Sequence, residues 1–132
     1  MAFVDTNVLL DIADADPAWL AWSTEQLALA GAAAPLVIND VVFAEMSARF
    51  PSLADAQHFA DVLELVHAVI PKVALFAAGK AFRSYRQAGG KRENVLPDFF
   101  IGAHALLLGM PLLTRDPKPF RTYFPMLDLI TP

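Results

Sequence analysis

Short apolar runs alternate along this chain with longer stretches of helical spacing, and that alternation points to a parallel sheet covered by helices on both faces. The first run, Ala2-Phe3-Val4-Asp5, reads as a buried strand that ends on an acid. A short helix is predicted over 7–13 and a second over 17–30, with Pro17 suited to a first helical position and Gly31 to the stop. Pro35-Leu36-Val37-Ile38 reads as the second strand, and Asn39 or Asp40 can cap the helix after it, which halts before Pro51. Apolar spacing at Phe59, Val62, Leu63 and Val66 predicts a helix over 53–65, followed by a short strand over 67–70. A helix over 73–87 closes at Gly89-Gly90, and Lys91-Arg92-Glu93-Asn94 forms a polar loop. Pro97 opens a helix that Gly109 ends. Leu112-Leu113-Thr114 is a strand running into the loop Arg115-Asp116-Pro117, and 127–130 is the last strand.

At 132 residues the chain is read as one domain spanning 1–132, long enough to bury about two thirds of its unfolded surface. It is 56% apolar with a mean hydropathy of +0.44, which raises the question of a membrane span. The longest stretches free of Asp, Glu, Lys and Arg are 26–39 and 99–114. Both fall short of the ~18–20 residues a span needs, and Pro or Gly interrupts each. The apolar surplus therefore points to a face that packs against another chain, not to a membrane. The first residues carry neither a basic segment nor a long apolar one, so they do not read as a secretory signal, and a cytoplasmic location is expected. The absence of cysteine excludes disulfides and a thiolate metal site.

The net charge of −4 conceals a division. Residues 1–72 hold ten acids and two bases, whereas 73–132 hold eight bases and four acids. The bases fall in two clusters, Lys80, Arg83, Arg86, Lys91 and Arg92, then Arg115, Lys118 and Arg121. A polyanion can dock on such a half despite the acidic total, although a solvated helix face would look the same. Arg86, Lys91, Arg92 and Arg115 are the residues expected to bind such a polyanion.

Four acids stand at positions where chemistry collects. Asp5 closes the first strand and Asp116 follows a later one, and in an open parallel sheet the crevice beyond the strands' carboxyl ends is the default site. Asp98 lies in the first turn of the apolar helix that continues Phe99-Phe100-Ile101, and Glu45 sits among Val41, Val42 and Met46. Singly, each has a plainer account: Asp98 complements a helix dipole, worth about 0.3–1 kcal/mol, Glu45 points to water and Asp116 makes a turn. Together in one crevice they would repel one another unless a cation neutralised them. Hard oxygen ligands without Cys or paired His select Mg²⁺ or Mn²⁺, and two such ions can activate a water for phosphodiester hydrolysis. Thr6 and Thr114 offer hydroxyls beside the acids, and Asn7 either caps the first helix or fixes the Asp5 loop. His104 reads as a packed or interface residue, and Asp11 as a solvated helix charge.

These residues make the chain resemble the PIN-domain family. Asp5-Thr6-Asn7 follows an N-terminal strand, Glu45 lies on the helix after strand two, Leu96-Pro97-Asp98-Phe99-Phe100-Ile101 opens a late helix, and Leu112-Leu113-Thr114-Arg115-Asp116 runs from strand to loop. The ending Tyr123-Phe124-Pro125-Met126-Leu127 with Thr131-Pro132 looks like the VapC-type toxins of bacterial toxin–antitoxin pairs. The resemblance implies a three-layer α/β/α sandwich with a mainly parallel sheet of about five strands. It implies a Mg²⁺- or Mn²⁺-dependent endoribonuclease, silenced by a cognate antitoxin and often a homodimer. By position, Asp5, Glu45, Asp98 and Asp116 match the family's acidic quartet and Thr114 its accessory hydroxyl residue. The apolar helices over 17–30 and 53–66 match the groove where an antitoxin segment binds.

Other classes compete. A phosphoaspartate phosphatase of the haloacid dehalogenase type wants a second acid two residues after the first, where this chain has Asn7. A receiver domain wants paired acids near the first strand and a Lys after the last ones. A PIN-like scaffold that binds RNA or protein without cutting is the third alternative.

Overall fold

The structure is a computed structural model that describes residues 1–92 and 95–132, so the Glu93-Asn94 part of the expected polar loop lies outside the described residues. In chain order the elements are β1 (Ala2–Val4), α1 (Thr6–Ala13), α2 (Leu20–Ala33), β2 (Leu36–Asn39), α3 (Asp40–Ser47), α4 (Leu53–Val62) and β3 (Leu65–Ala68). They continue with α5 (Lys72–Gln87), α6 (Leu96–Leu108), β4 (Leu112–Leu113), α7 (Lys118–Tyr123) and β5 (Leu129–Ile130). The strands form one sheet in the order β3-β2-β1-β4-β5, with every pairing parallel. This is the three-layer α/β/α sandwich that the alternation of elements predicts.

The sheet grows outward from β1 in both directions, to β2 and β3 on one side and to β4 and β5 on the other. The strand order therefore reverses between β1 and β4, and a crevice opens beyond their carboxyl ends. The central strands are short and wholly apolar because both faces are covered: Phe3, Val4, Leu112 and Leu113 are fully buried. Each such side chain contributes about 1.5–3 kcal/mol relative to leaving it exposed. Phe99, Ile101 and Phe120 extend the core into the helical layer. Among the described residues no helix is long and apolar enough to cross a membrane.

Several boundaries differ from expectation for local reasons. The second helix begins at Leu20 and not at Pro17, because Asp16 Oδ1 accepts from the amides of Ala18 (2.8 Å) and Trp19 (3.0 Å) and holds a separate turn. Gly31 does not stop that helix; it lies within it, where a β-carbon would sit 3.4 Å from Leu36 Cδ1. The third strand occupies 65–68 instead of 67–70, in register with β2 from Leu36↔Leu65 to Asn39↔Ala68.

Helix α7 is absent from the sequence reading, which placed Arg115-Asp116-Pro117 in a loop and assigned no element between it and the last strand. Proline is compatible with a first helical turn, and the i, i+4 pair Phe120 and Phe124 buries one side of this short element. Gly102 of α6 provides the landing place. A β-carbon there would stand 2.8 Å from Phe124 Cδ2 and 3.0 Å from Phe120 Cδ1, so only glycine admits both rings in this arrangement.

Candidate active site

The carboxyl end of β1 is locked to β4 before any acid appears. The Asp5 amide donates to the Leu113 carbonyl (2.9 Å), which continues the parallel ladder one residue beyond β1. Asp5 then caps α1, with Oδ1 accepting from the Thr6 amide at 2.7 Å. Its other oxygen accepts from the Thr114 hydroxyl (2.7 Å) and from Asn7 Nδ2 (3.2 Å). Thr114 in turn accepts from the Asp116 amide (3.1 Å) and from Asn7 Nδ2 (3.2 Å). Of the two roles open to Asn7, the structure shows the second: its amide fixes the Asp5 loop, while its Oδ1 accepts from the Arg115 amide at 3.3 Å.

Glu45 reaches the same place from α3, where its Oε1 accepts the Thr6 hydroxyl at 2.7 Å. Asp98 comes from the first turn of α6 and Asp116 from the loop after β4. Asp5, Glu45, Asp98 and Asp116 line one cleft of about 160 Å³, together with Thr6 and Asn7. Leu10, Pro119 and Phe120 complete the lining; they were not anticipated, because two of them belong to α7.

Electrostatics records this convergence. Burial raises Asp5 to about 7, and the charges of Asp98 and Glu45 add to the effect against the lowering by Thr114 and the Thr6 amide. Burial also raises Asp98 to about 6, helped by Glu45 and Asp116 and opposed by Arg92. The acids thus feel one another across the cleft. Among the described residues, however, no three acids or histidines close into a ready-made ligand set. The donors are all hard oxygens, and their mutual repulsion is the state that a bound divalent cation relieves. The residues present fit such an ion in the chemistry of their donors.

The expected RNA-binding bases do not share one environment. Arg92 lines a neighbouring cleft, Lys91 is exposed, and Arg86 lies over the Phe82 ring (5.3 Å) with Nη1 directed to the Gly90 carbonyl (3.4 Å). Arg115 is committed elsewhere: its Nε donates to both Asp11 oxygens (2.9 and 3.0 Å), and its guanidinium lies 5.6 Å from the centre of the Trp19 ring. The reading of Asp11 as solvated is corrected, since it is 1% exposed and also accepts from Ser23 Oγ at 2.7 Å. Its apolar neighbours Leu9, Leu10 and Ile12 were the available signal. His104 is packed as expected, against Phe3 and beside Asn39 Nδ2 (3.2 Å), and burial lowers its pKa.

An acid-lined cleft at the switch point of a parallel α/β/α sheet is the arrangement of a PIN-type fold. The PIN-domain family model matches residues 2–125, and the chain belongs to that family. No curated protein matches the sequence. Among solved structures, the chain is similar to VapBC2 from Rickettsia felis bound to a DNA fragment from its promoter, with 21% identity and a TM-score of 0.74 over 98% of this chain and 97% of that one. It is also similar to VapBC-1 from nontypeable Haemophilus influenzae (17% identity, TM-score 0.71, 98% and 96% covered). A toxin–antitoxin complex from Klebsiella pneumoniae gives 22% identity and a TM-score of 0.62 over 99% and 97%. At these identities the likeness is one of fold.

Proposed function

We propose that this chain is a metal-dependent endoribonuclease and the toxin of a toxin–antitoxin pair. The observation that carries the nuclease reading is the cleft in which four carboxylates from β1, α3, α6 and the β4 loop meet, with Asp5 raised to about 7. Asp5, Glu45, Asp98 and Asp116 would hold Mg²⁺ or Mn²⁺. When bound, the ion supplies a water activated at neutral pH and charge stabilisation at the phosphodiester.

The protein's own part is orientation. Thr114, Asn7 and the Thr6 amide fix the Asp5 carboxylate from three directions and leave about one lone pair, on Oδ1, for a ligand. The Thr6 hydroxyl holds Glu45, which is otherwise exposed on α3, toward the cleft. Thr114 couples Asp5 to the Asp116 loop through a single hydroxyl. The position that a phosphoaspartate enzyme would fill with a second acid holds the Asn7 amide.

The toxin reading rests on family membership and on the toxin–antitoxin complexes among the similar structures. An apolar cleft of about 400 Å³ between α2 and the end of α4, lined by Leu27, Gly31, Leu36, Val62 and Leu63, supports an antitoxin partner. Exposed Val73 and Phe76 on α5, with Leu107 on α6, support a homodimer. An RNA substrate accords with a cytoplasmic location.

The test is cleavage of labelled RNA with Mg²⁺ or Mn²⁺ and with EDTA, in the native protein and in Asp5→Asn and Asp98→Asn. Loss with EDTA and in Asp5→Asn, and strong reduction in Asp98→Asn, are expected. Cleavage indifferent to all three would overturn the mechanism.

A further inference from the structure

A second cleft adjoins the acids and is more than twice as large, about 340 Å³ against 160 Å³. Asp116 and Pro119 line both, so the two share a wall. The remaining lining is of a different kind: the aromatic rings of Tyr85 and Tyr123 and the cationic side chains of Arg92 and Lys118, with Thr122 and the apolar Val95. From these residues we infer that the second cleft is a nucleotide subsite, which takes one unpaired base of single-stranded RNA together with the phosphate next to the scissile one. The inference rests on the nuclease reading and names where that substrate is held.

The chemistry is matched to a nucleotide in three ways. The volume falls within the range of about 300–1,000 Å³ typical of sites for molecules of that size. The rings of Tyr85 and Tyr123 meet at 75° with centroids 5.9 Å apart, so they form a corner in which a base stacked on one ring presents its edge to the face of the other. The bases are placed for a phosphate: Lys118 has no carboxylate partner among the described residues, in contrast to Arg115, which Asp11 occupies. Arg92 is held by its own amide, which donates to the Tyr85 hydroxyl at 2.7 Å, and its charge acts on Asp98 across the shared wall. A strand whose base enters this corner therefore brings its backbone past Lys118 toward Asp116. Stacking of this kind accepts any base and needs it unpaired, which sets the substrate as a loop or single strand.

Oligoribonucleotides carrying one abasic site, stepped along the strand, test the subsite, with affinity read by fluorescence anisotropy in EDTA so that cleavage plays no part. The abasic site beside the cleaved bond is expected to weaken binding roughly tenfold in the native protein and to cost nothing in Tyr123→Leu. Tyr123 also packs on Phe99 at 5.1 Å, so a second variant, Lys118→Glu on the exposed start of α7, keeps the test independent of folding. It should raise KM about tenfold with kcat within about twofold. Uridine monophosphate should move the amide resonances of Thr122 and Tyr123, and inorganic phosphate should do so far less.

RNA cleavage with no abasic penalty and an unchanged KM in Lys118→Glu would overturn the subsite while leaving the nuclease reading intact. Equal effects of phosphate and uridine monophosphate would likewise overturn it, as a phosphate site without a base. Absence of cleavage, with the abasic penalty and the resonance shifts present, would overturn the nuclease reading and support the subsite.

Discussion

Arg115 Nε lies 2.9 Å from Asp11 Oδ2, joining a half-buried base next to Asp116 of the acid cleft to a carboxylate that is 1% exposed. The pair fastens the loop of Thr114 and Asp116 to α1, and Ser23 extends the link to α2. Breaking one side of a buried pair leaves an uncompensated charge, whose cost is about 3–5 kcal/mol for full burial and less for this partly exposed arginine. Arg115→Ala is therefore expected to lose about 2–3 kcal/mol in urea denaturation. The double variant with Asp11→Ala should lose less than the sum of the two single losses. A native-like midpoint in Arg115→Ala, combined with weaker RNA binding, would instead assign Arg115 to the substrate.

Asp5 and Asp98 should make the stability of the metal-free protein fall as pH rises, against a smaller opposing rise from the buried His104, whose pKa burial lowers. Asp5 is raised from 3.8 to about 7, so the folded state binds the proton more tightly than the unfolded state between those values. The contribution of protonated Asp5 is present in full near pH 4 and lost as pH passes through 7, an effect of at most about 4 kcal/mol. Asp98 adds in the same direction through about 6. Asp5→Asn should flatten the pH dependence of Tm, and Mg²⁺ or Mn²⁺ should raise the Tm of the native protein most at pH 8. A Tm that rises from pH 5 to pH 8 without metal would contradict this account.

Thr6→Val removes the hydroxyl that holds Glu45 at 2.7 Å while keeping the backbone amide that donates to Asp5. Partners that orient a ligand are worth about 10–100-fold in metal affinity or activity. The variant should bind Mn²⁺ about tenfold more weakly by calorimetry, and Thr6→Ser should restore most of the loss. Equal affinities for all three would make the hydroxyl a packing feature.

Arg86 and Lys91 are exposed at the end of α5 and beyond it. If they meet the RNA backbone, Arg86→Gln or Lys91→Gln should weaken binding and lower the slope of log K against log salt by about 0.7 each. An unchanged slope would make them a solvated face.

The sheet and the acids could be read from the chain because their signals are local. Each strand is a short apolar run, and Asp5, Asp98 and Asp116 sit at element ends where periodicity breaks. Glu45 was harder to place, because α3 leaves it exposed and only the Thr6 hydroxyl turns it inward. What escaped depends on contacts between distant segments. Asp11 looks like any helix-face acid until Arg115, more than a hundred positions later, is folded against it. Helix α7 is hidden by its prolines, and its stability comes from the bare surface of Gly102. The tyrosine corner joins α5 to α7, so no single stretch of sequence contains it.

Strand β1 sits in the middle of the sheet, yet its neighbour β4 pairs through Phe3↔Leu112, across nearly the whole chain. Asp5 precedes Asp98, Thr114 and Asp116 by more than ninety positions, and it has no site to join until those segments fold against β1. A chain cut before β4 therefore lacks the acid cleft, since Asp116 follows β4 and Thr114 supplies the hydroxyl to Asp5. The order of the strands thus ties the proposed chemistry to completion of the sheet, because no smaller unit of the fold contains all four acids.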